Sequence, residues 1–143
     1  QLVKFAEEAL AKSYAPYSNF HVGCAVQLQN GTFLTGANHE NAAYPAGICA
    51  ERAALASLDM SQQNFVVAIA ITFKQDASLT LNPITPCGIC RQSIKEVQDW
   101  QEKPIIIYMC NPLGNIIRVD DANHLLPFSF GKNDLKTPAS ILK

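Results

Sequence analysis

The sequence predicts an α/β fold: a three-layer α-β-α sandwich around a mixed sheet of about five strands, in a single domain spanning residues 1–143. Three observations lead there. Segments with apolar residues at helical spacing alternate with segments of period two or of unbroken apolar character. Two of the helical segments separate strand-like segments, which favours parallel pairing through right-handed crossovers. Hydrophobic residues make up 48% of 143 residues and charged ones only 16%, enough for one core that buries roughly 70% of the unfolded surface.

Each element has a local reason. Leu2, Phe5, Ala6, Ala9 and Leu10 form a helical apolar stripe. That pattern is already under way at Gln1, so a few upstream residues are expected to precede it. Tyr14 to Asn19, with Pro16 and Ser18, reads as a turn. Phe20, Val22, Cys24, Val26 and Leu28 then alternate with His21, Gly23, Ala25 and Gln27, which predicts a strand with one buried face. Asn30-Gly31 signals a hairpin, with Thr32 to Asn38 returning. An alanine-rich helix is expected from Ile48 to about Met60. Phe65 to Phe73 is apolar almost throughout, as in a strand buried on both faces. Gln75 to Pro86 reads as a loop and Cys87 to about Trp100 as a helix. Ile105 to Cys110 is a second buried strand, followed by a turn through Asn111 and Asn115. Ile116 to Val119 is a short strand, and Asp120 is placed to cap a last helix ending near Leu126.

Composition narrows the function. Eleven basic against 12 acidic residues leave a net charge of −1, without the large cationic footprint that a nucleic-acid polymer or an anionic membrane surface calls for. No stretch approaches the ~20 apolar residues of a membrane span, and no signal peptide is visible. Five cysteines cannot all pair internally, and a neutral chain of this kind is expected to be cytoplasmic, with its thiols reduced.

Cys87-Gly88-Ile89-Cys90 opens one helix and Cys49 opens another. The C-x-x-C by itself leaves metal binding, redox chemistry and no role all open. Cys87 and Cys90 are one helical turn apart, and a third cysteine at another helix start favours zinc, because helix N-termini stabilise thiolates. Three protein ligands leave one tetrahedral position for water, the catalytic pattern. Cys24 and Cys110 fall in strands and read as core. Glu51 follows Cys49 by two residues. In mid-helix the pair would point about 200° apart, so they share a site only at the helix's first turn, which Pro45-Ala46-Gly47 makes possible. A carboxylate there suits general acid–base hydrolysis. Zinc with three thiolates is electron-rich, and Arg52 would offset that by donating to the sulfurs.

Cys49-Ala50-Glu51-Arg52 with Pro86-Cys87-Gly88-Ile89-Cys90-Arg91-Gln92 resembles the signature of the small homotetrameric zinc-dependent cytidine deaminases. Segments 20–25, 36–44 and 125–131 are similar to further family segments in the same order, so the resemblance runs from Tyr14 to Leu135. It implies that Cys49, Cys87 and Cys90 hold zinc and that Glu51 shuttles protons in the deamination of cytidine or deoxycytidine, a step in pyrimidine salvage. It also implies that Asn38 and Glu40 hold the ribose, Phe20 packs on the pyrimidine, Ala50 meets the base through its backbone, and Tyr44 lines this site or a neighbour's. Phe130 would be donated across a subunit interface of a homotetramer. Independently, residues i and i+2 of an extended segment face one way, so Asn38 and Glu40 can share a site while His39 points away. His39 and Cys24 depart from the family pattern, and His21 and His124 have no partner visible in the sequence. Blasticidin-S-type deaminases, polynucleotide deaminases, a non-enzymatic structural zinc module and a C-x-x-C thiol oxidoreductase are the competing readings.

Overall fold

Alternation sorts strand side chains onto two faces, and here a different layer covers each face. The structure is a computed structural model that describes residues 1–75 and 82–135. Its elements are α1 (Leu2–Ala9), β1 (Phe20–Leu28), β2 (Phe33–Ala37), α2 (Ala50–Leu55), β3 (Val66–Gln75), α3 (Gly88–Gln101), β4 (Ile106–Cys110) and β5 (Ile116–Val119). The five strands form one sheet in the order β2-β1-β3-β4-β5. β3 and β4 are parallel, joined through α3, and the remaining pairs are antiparallel.

Val22, Cys24, Val26, Ile69, Ile71, Phe73, Ile107 and Met109 share one face with Ala50 and Ala54 of α2 and Ile94 and Val97 of α3. Ala25, Ala68 and Ala70 line the other face beneath Leu2 and Ala6 of α1. β1 is therefore covered on both faces rather than one. Between its large apolar side chains the two central residues, Gly23 and Ala25, are small, and a helix backbone can approach them, while His21 and Gln27 toward the ends stay polar. A Cβ on Gly23 would lie 2.1 Å from the Ala6 carbonyl oxygen. On the opposite face a Cβ on Gly36 would lie 2.4 Å from the Ala54 nitrogen, so glycine is what lets α2 lie against β2.

Two buried glutamines fix α3 to the sheet. Gln98 Oε1 accepts from the Ile105 and Ala122 backbone N–H groups, while Gln101 bonds both the N–H and the C=O of Val66. These bonds satisfy backbone groups that would otherwise be buried unpaired.

Several boundaries differ from expectation. α2 starts at Ala50 because Ile48 pairs with His39 in a β-bridge, and it stops at Leu55. β3 runs to Gln75, which pairs with Phe20. The expected loop from Gln75 to Pro86 lies partly outside the described residues. The helix expected to end near Leu126 is a 3-10 turn, Ala122–Leu125, and its cap is Asp121, which accepts from the Asn123 N–H. Asp120 is taken up by an ion pair with Arg118 at 2.6 Å. Among the described residues no helix is long and apolar enough to cross a membrane.

Candidate active site

β2 and β3 end where β1 begins: Ala37 lies opposite Gly23 and Gln75 opposite Phe20. The chain leaving those ends runs on to α2 and α3, so both helices start at one end of the sheet. Cys49 and Cys87 are the N-cap residues, and neither makes a side-chain capping bond. Cys90 lies in the first turn of α3, fully buried.

The sulfurs of Cys49, Cys87 and Cys90 lie within 4.8 Å of one another, with Cys49 and Cys87 3.8 Å apart. Zinc–sulfur bonds of about 2.3 Å at tetrahedral angles separate ligand sulfurs by about 3.8 Å, so these three residues fit a zinc ion. Cys24 and Cys110 stand outside the cluster, both buried with their thiols pushed up by burial, Cys110 to about 11. A closed four-cysteine centre is therefore absent among the described residues. Hydrogen bonding from Cys90, then from Cys87 and Arg52, outweighs burial and brings Cys49 down to about 5. Arg52 bonds toward the Cys49 and Cys90 sulfurs, while its Nε is buried without a partner.

Glu51 follows in the first turn of α2 and is 5% exposed. Burial, reinforced by the Cys49 charge, holds its carboxyl above the usual range. A carboxyl that burial makes readier than usual to hold a proton is suited to take one up and pass it on.

A cleft of about 750 Å³ opens over this end of the sheet, the size of a small-molecule site. Phe20, Asn38, Glu40, Tyr44, Cys49, Ala50, Glu51 and Cys87 line it. Phe20 is held by stacking on Phe73, ring centroids 5.1 Å apart. Segment 38–40 is clamped from both sides. Tyr14 N–H donates to Asn38 O and Glu40 N–H to Tyr14 O, while His39 and Ile48 exchange two backbone bonds. This segment is a bridge rather than a full strand, and His39 is among the residues that line the cleft, its Nδ1 3.1 Å from the Ala37 carbonyl. Glu40 accepts from the backbone N–H groups of Tyr17 and Ser18 and from the Ser18 hydroxyl, and these bonds, the hydroxyl's above all, lower its pKa. Tyr44 is exposed, edge-on to Tyr17 at 6.2 Å.

Phe130 does not reach the cleft of its own chain. It is 59% exposed, and its carbonyl accepts from Gln92 of α3. Four lining residues carry no functional mark of their own in the sequence: Tyr17 and Ser18, within a turn, and Ile84 and Thr85, ahead of Pro86. The proline before the cysteine motif was the available signal for the latter pair.

Residues 1–106 match the family model described as the cytidine and deoxycytidylate deaminase zinc-binding region. A cytidine deaminase of Halalkalibacterium halodurans is 37% identical over 134 residues, covering 94% of this chain and 95% of that protein. One from Sporosarcina psychrophila is 34% identical, covering 97% and 96%. Among solved structures, cytidine deaminase from Burkholderia pseudomallei superposes with a TM-score of 0.78 at 37% identity, over 90% of this chain and 96% of that one. The Mycobacterium tuberculosis enzyme gives 0.68 at 31%, over 91% and 94%. The chain therefore belongs to the cytidine and deoxycytidylate deaminase family.

Proposed function

We propose that this protein deaminates cytidine and deoxycytidine hydrolytically, with water as co-substrate, giving uridine or deoxyuridine and ammonia. One observation carries the reading: three convergent cysteines, of which Cys49 and Cys87 line a cleft together with the buried Glu51, an aromatic ring, an amide and a second carboxylate. Cys49, Cys87 and Cys90 hold the zinc, whose chemistry is the activation of water for hydrolysis at neutral pH. Glu51 takes a proton from the attacking water and delivers it to the cytosine ring nitrogen. It then protonates the departing amine, and its raised pKa suits both directions of transfer. Arg52 spreads positive charge onto the thiolates. Phe20 supports the pyrimidine, Ala50 meets the base through its backbone, and Asn38 and Glu40 hold the sugar.

The same reading makes the protein a single catalytic domain that acts in pyrimidine salvage in the cytoplasm, where its five free cysteines stay reduced. It also makes it a homotetramer. Exposed Ile89, Phe128 and Phe130 support assembly, with Phe130, and Tyr44 at the cleft mouth, serving a neighbouring copy's cleft. The test is loss of the cytidine ultraviolet band with metal-replete protein, alongside blasticidin S and a single-stranded oligonucleotide. Turnover confined to cytidine and deoxycytidine is expected. No turnover of either nucleoside overturns the reading.

A further inference from the structure

Asn38 is bonded in a way that dictates the protonation of residues two contacts away. Its Oδ1 accepts from the Val22 N–H at 2.8 Å, and its Nδ2 donates to the Phe20 carbonyl at 2.8 Å. A flipped amide would oppose donor to donor and acceptor to acceptor, so only one orientation is possible. Oδ1 also receives Ser13 Oγ at 2.6 Å. An amide oxygen carries no proton, so the Ser13 hydroxyl must be the donor. Ser13 Oγ then has only lone pairs to offer His21 Nδ1 at 3.0 Å, and Nδ1 must carry the hydrogen. On the other side of the ring Asn19, in left-handed backbone conformation at φ 53, sets Oδ1 3.3 Å from His21 Nε2, a contact that only the doubly protonated ring satisfies together with Ser13; in the neutral ring the shorter Ser13 contact keeps the hydrogen on Nδ1. Both acceptor sites of Asn38 are consumed, and one Nδ2 hydrogen remains on a residue that lines the cleft.

We infer that Ser13 and His21 are positioning residues: the chain of donation from His21 Nδ1–H to Ser13 Oγ and on to Asn38 Oδ1 locks Asn38 as a pure hydrogen-bond donor toward the substrate's sugar. Glu40, held by Ser18 of the same turn, faces the cleft as a pure acceptor. One hydroxyl, offering a lone pair to Asn38 and a proton to Glu40, satisfies both, whereas an ether satisfies only Asn38 and a bare carbon neither. The inference rests on the nucleoside reading above for its substrate and on the geometry alone for its proton placement.

Ser13→Ala removes the final donor in that chain. KM for cytidine is expected to rise about 3- to 10-fold, the range a single lost hydrogen bond produces, with kcat and zinc content unchanged. Ser13→Thr, which keeps the hydroxyl, should stay near wild type. With 2′,3′-dideoxycytidine the ratio of Ser13→Ala to wild type should shrink toward one, because Asn38 has no hydroxyl to reach. An unchanged KM for cytidine, or an equal KM rise with both substrates, overturns the inference. The proton placement is read separately by long-range nitrogen–proton NMR of neutral His21, which should show the Nδ1–H tautomer. The Nε2–H tautomer overturns it. If the wild type turns over no nucleoside, the functional reading falls, and the tautomer still decides the relay.

Discussion

Gly36→Ala tests how tightly the fold sets the zinc ligands. The added Cβ would lie 2.4 Å from the Ala54 nitrogen and 2.5 Å from the Ala50 oxygen, both backbone atoms, whereas ordinary contact begins at 3.4 Å. α2 must therefore retreat from β2 by about 1 Å. Overpacking of this kind costs about 1–3 kcal/mol, which for a chain this long lowers Tm by roughly 3–10 °C. The same retreat carries Cys49 and Glu51 away from Cys87, whose sulfur now sits 3.8 Å from that of Cys49. A misplacement of 1 Å can cost about 100-fold in rate. The assays are thermal unfolding, zinc retention against a chromogenic chelator, and cytidine turnover, with Gly88→Ala as control because its Cβ meets nothing within 4 Å. If Gly36→Ala lowers Tm but leaves zinc affinity and kcat untouched, the argument that helix seating sets the site is refuted.

The other predictions address charge. Glu51→Gln should keep zinc yet lower kcat roughly 10²–10⁴-fold, the range for a positioned acid–base group; retained turnover would remove Glu51 from the mechanism. Arg52→Gln should weaken zinc binding about 10- to 100-fold. In metal-free protein it should also move the alkylation midpoint of Cys49 upward from about 5, and an unmoved midpoint would show that the guanidinium does not act on the sulfurs. Asp121 is held below its ordinary pKa, first by the Gln98 side chain at 2.6 Å. Its stabilising contribution is therefore complete above about pH 4 and fades as pH falls through the folded value. Asp121→Asn should flatten the dependence of Tm on pH below 4, and an unchanged slope would count against this assignment.

The sheet and the cysteine cluster were legible in the sequence because both depend on local pattern. Alternation in β1 and unbroken apolar character in β3 mark strands wherever they end up in a fold. Cys87 and Cys90 were tied by helical spacing, and Cys49 by its place at a helix start. What escaped was set by contacts distant along the chain. Alternation with Gly23 and Ala25 looked amphipathic, and nothing local says that α1 comes to rest on those small residues. The alanine-rich segment has no internal stop, so the start of α2 was hidden until Ile48 paired with His39. Glu40 and Asn38 stood out as a pair, but the turn that holds both is separated from them by β1 and β2. Asp120 and Asp121 are equally good caps on paper, and Arg118 decides between them.

The capping positions of α2 and α3 carry an evolutionary consequence. A serine at either could bond an N–H group of the first turn and strengthen the helix by about 1 kcal/mol, a side-chain cap that neither cysteine makes. Selection for rigidity alone would thus drift toward replacements that disarm the enzyme while improving its melting temperature. Screens that rank variants of this chain by thermal stability without metal would favour dead proteins at positions 49 and 87.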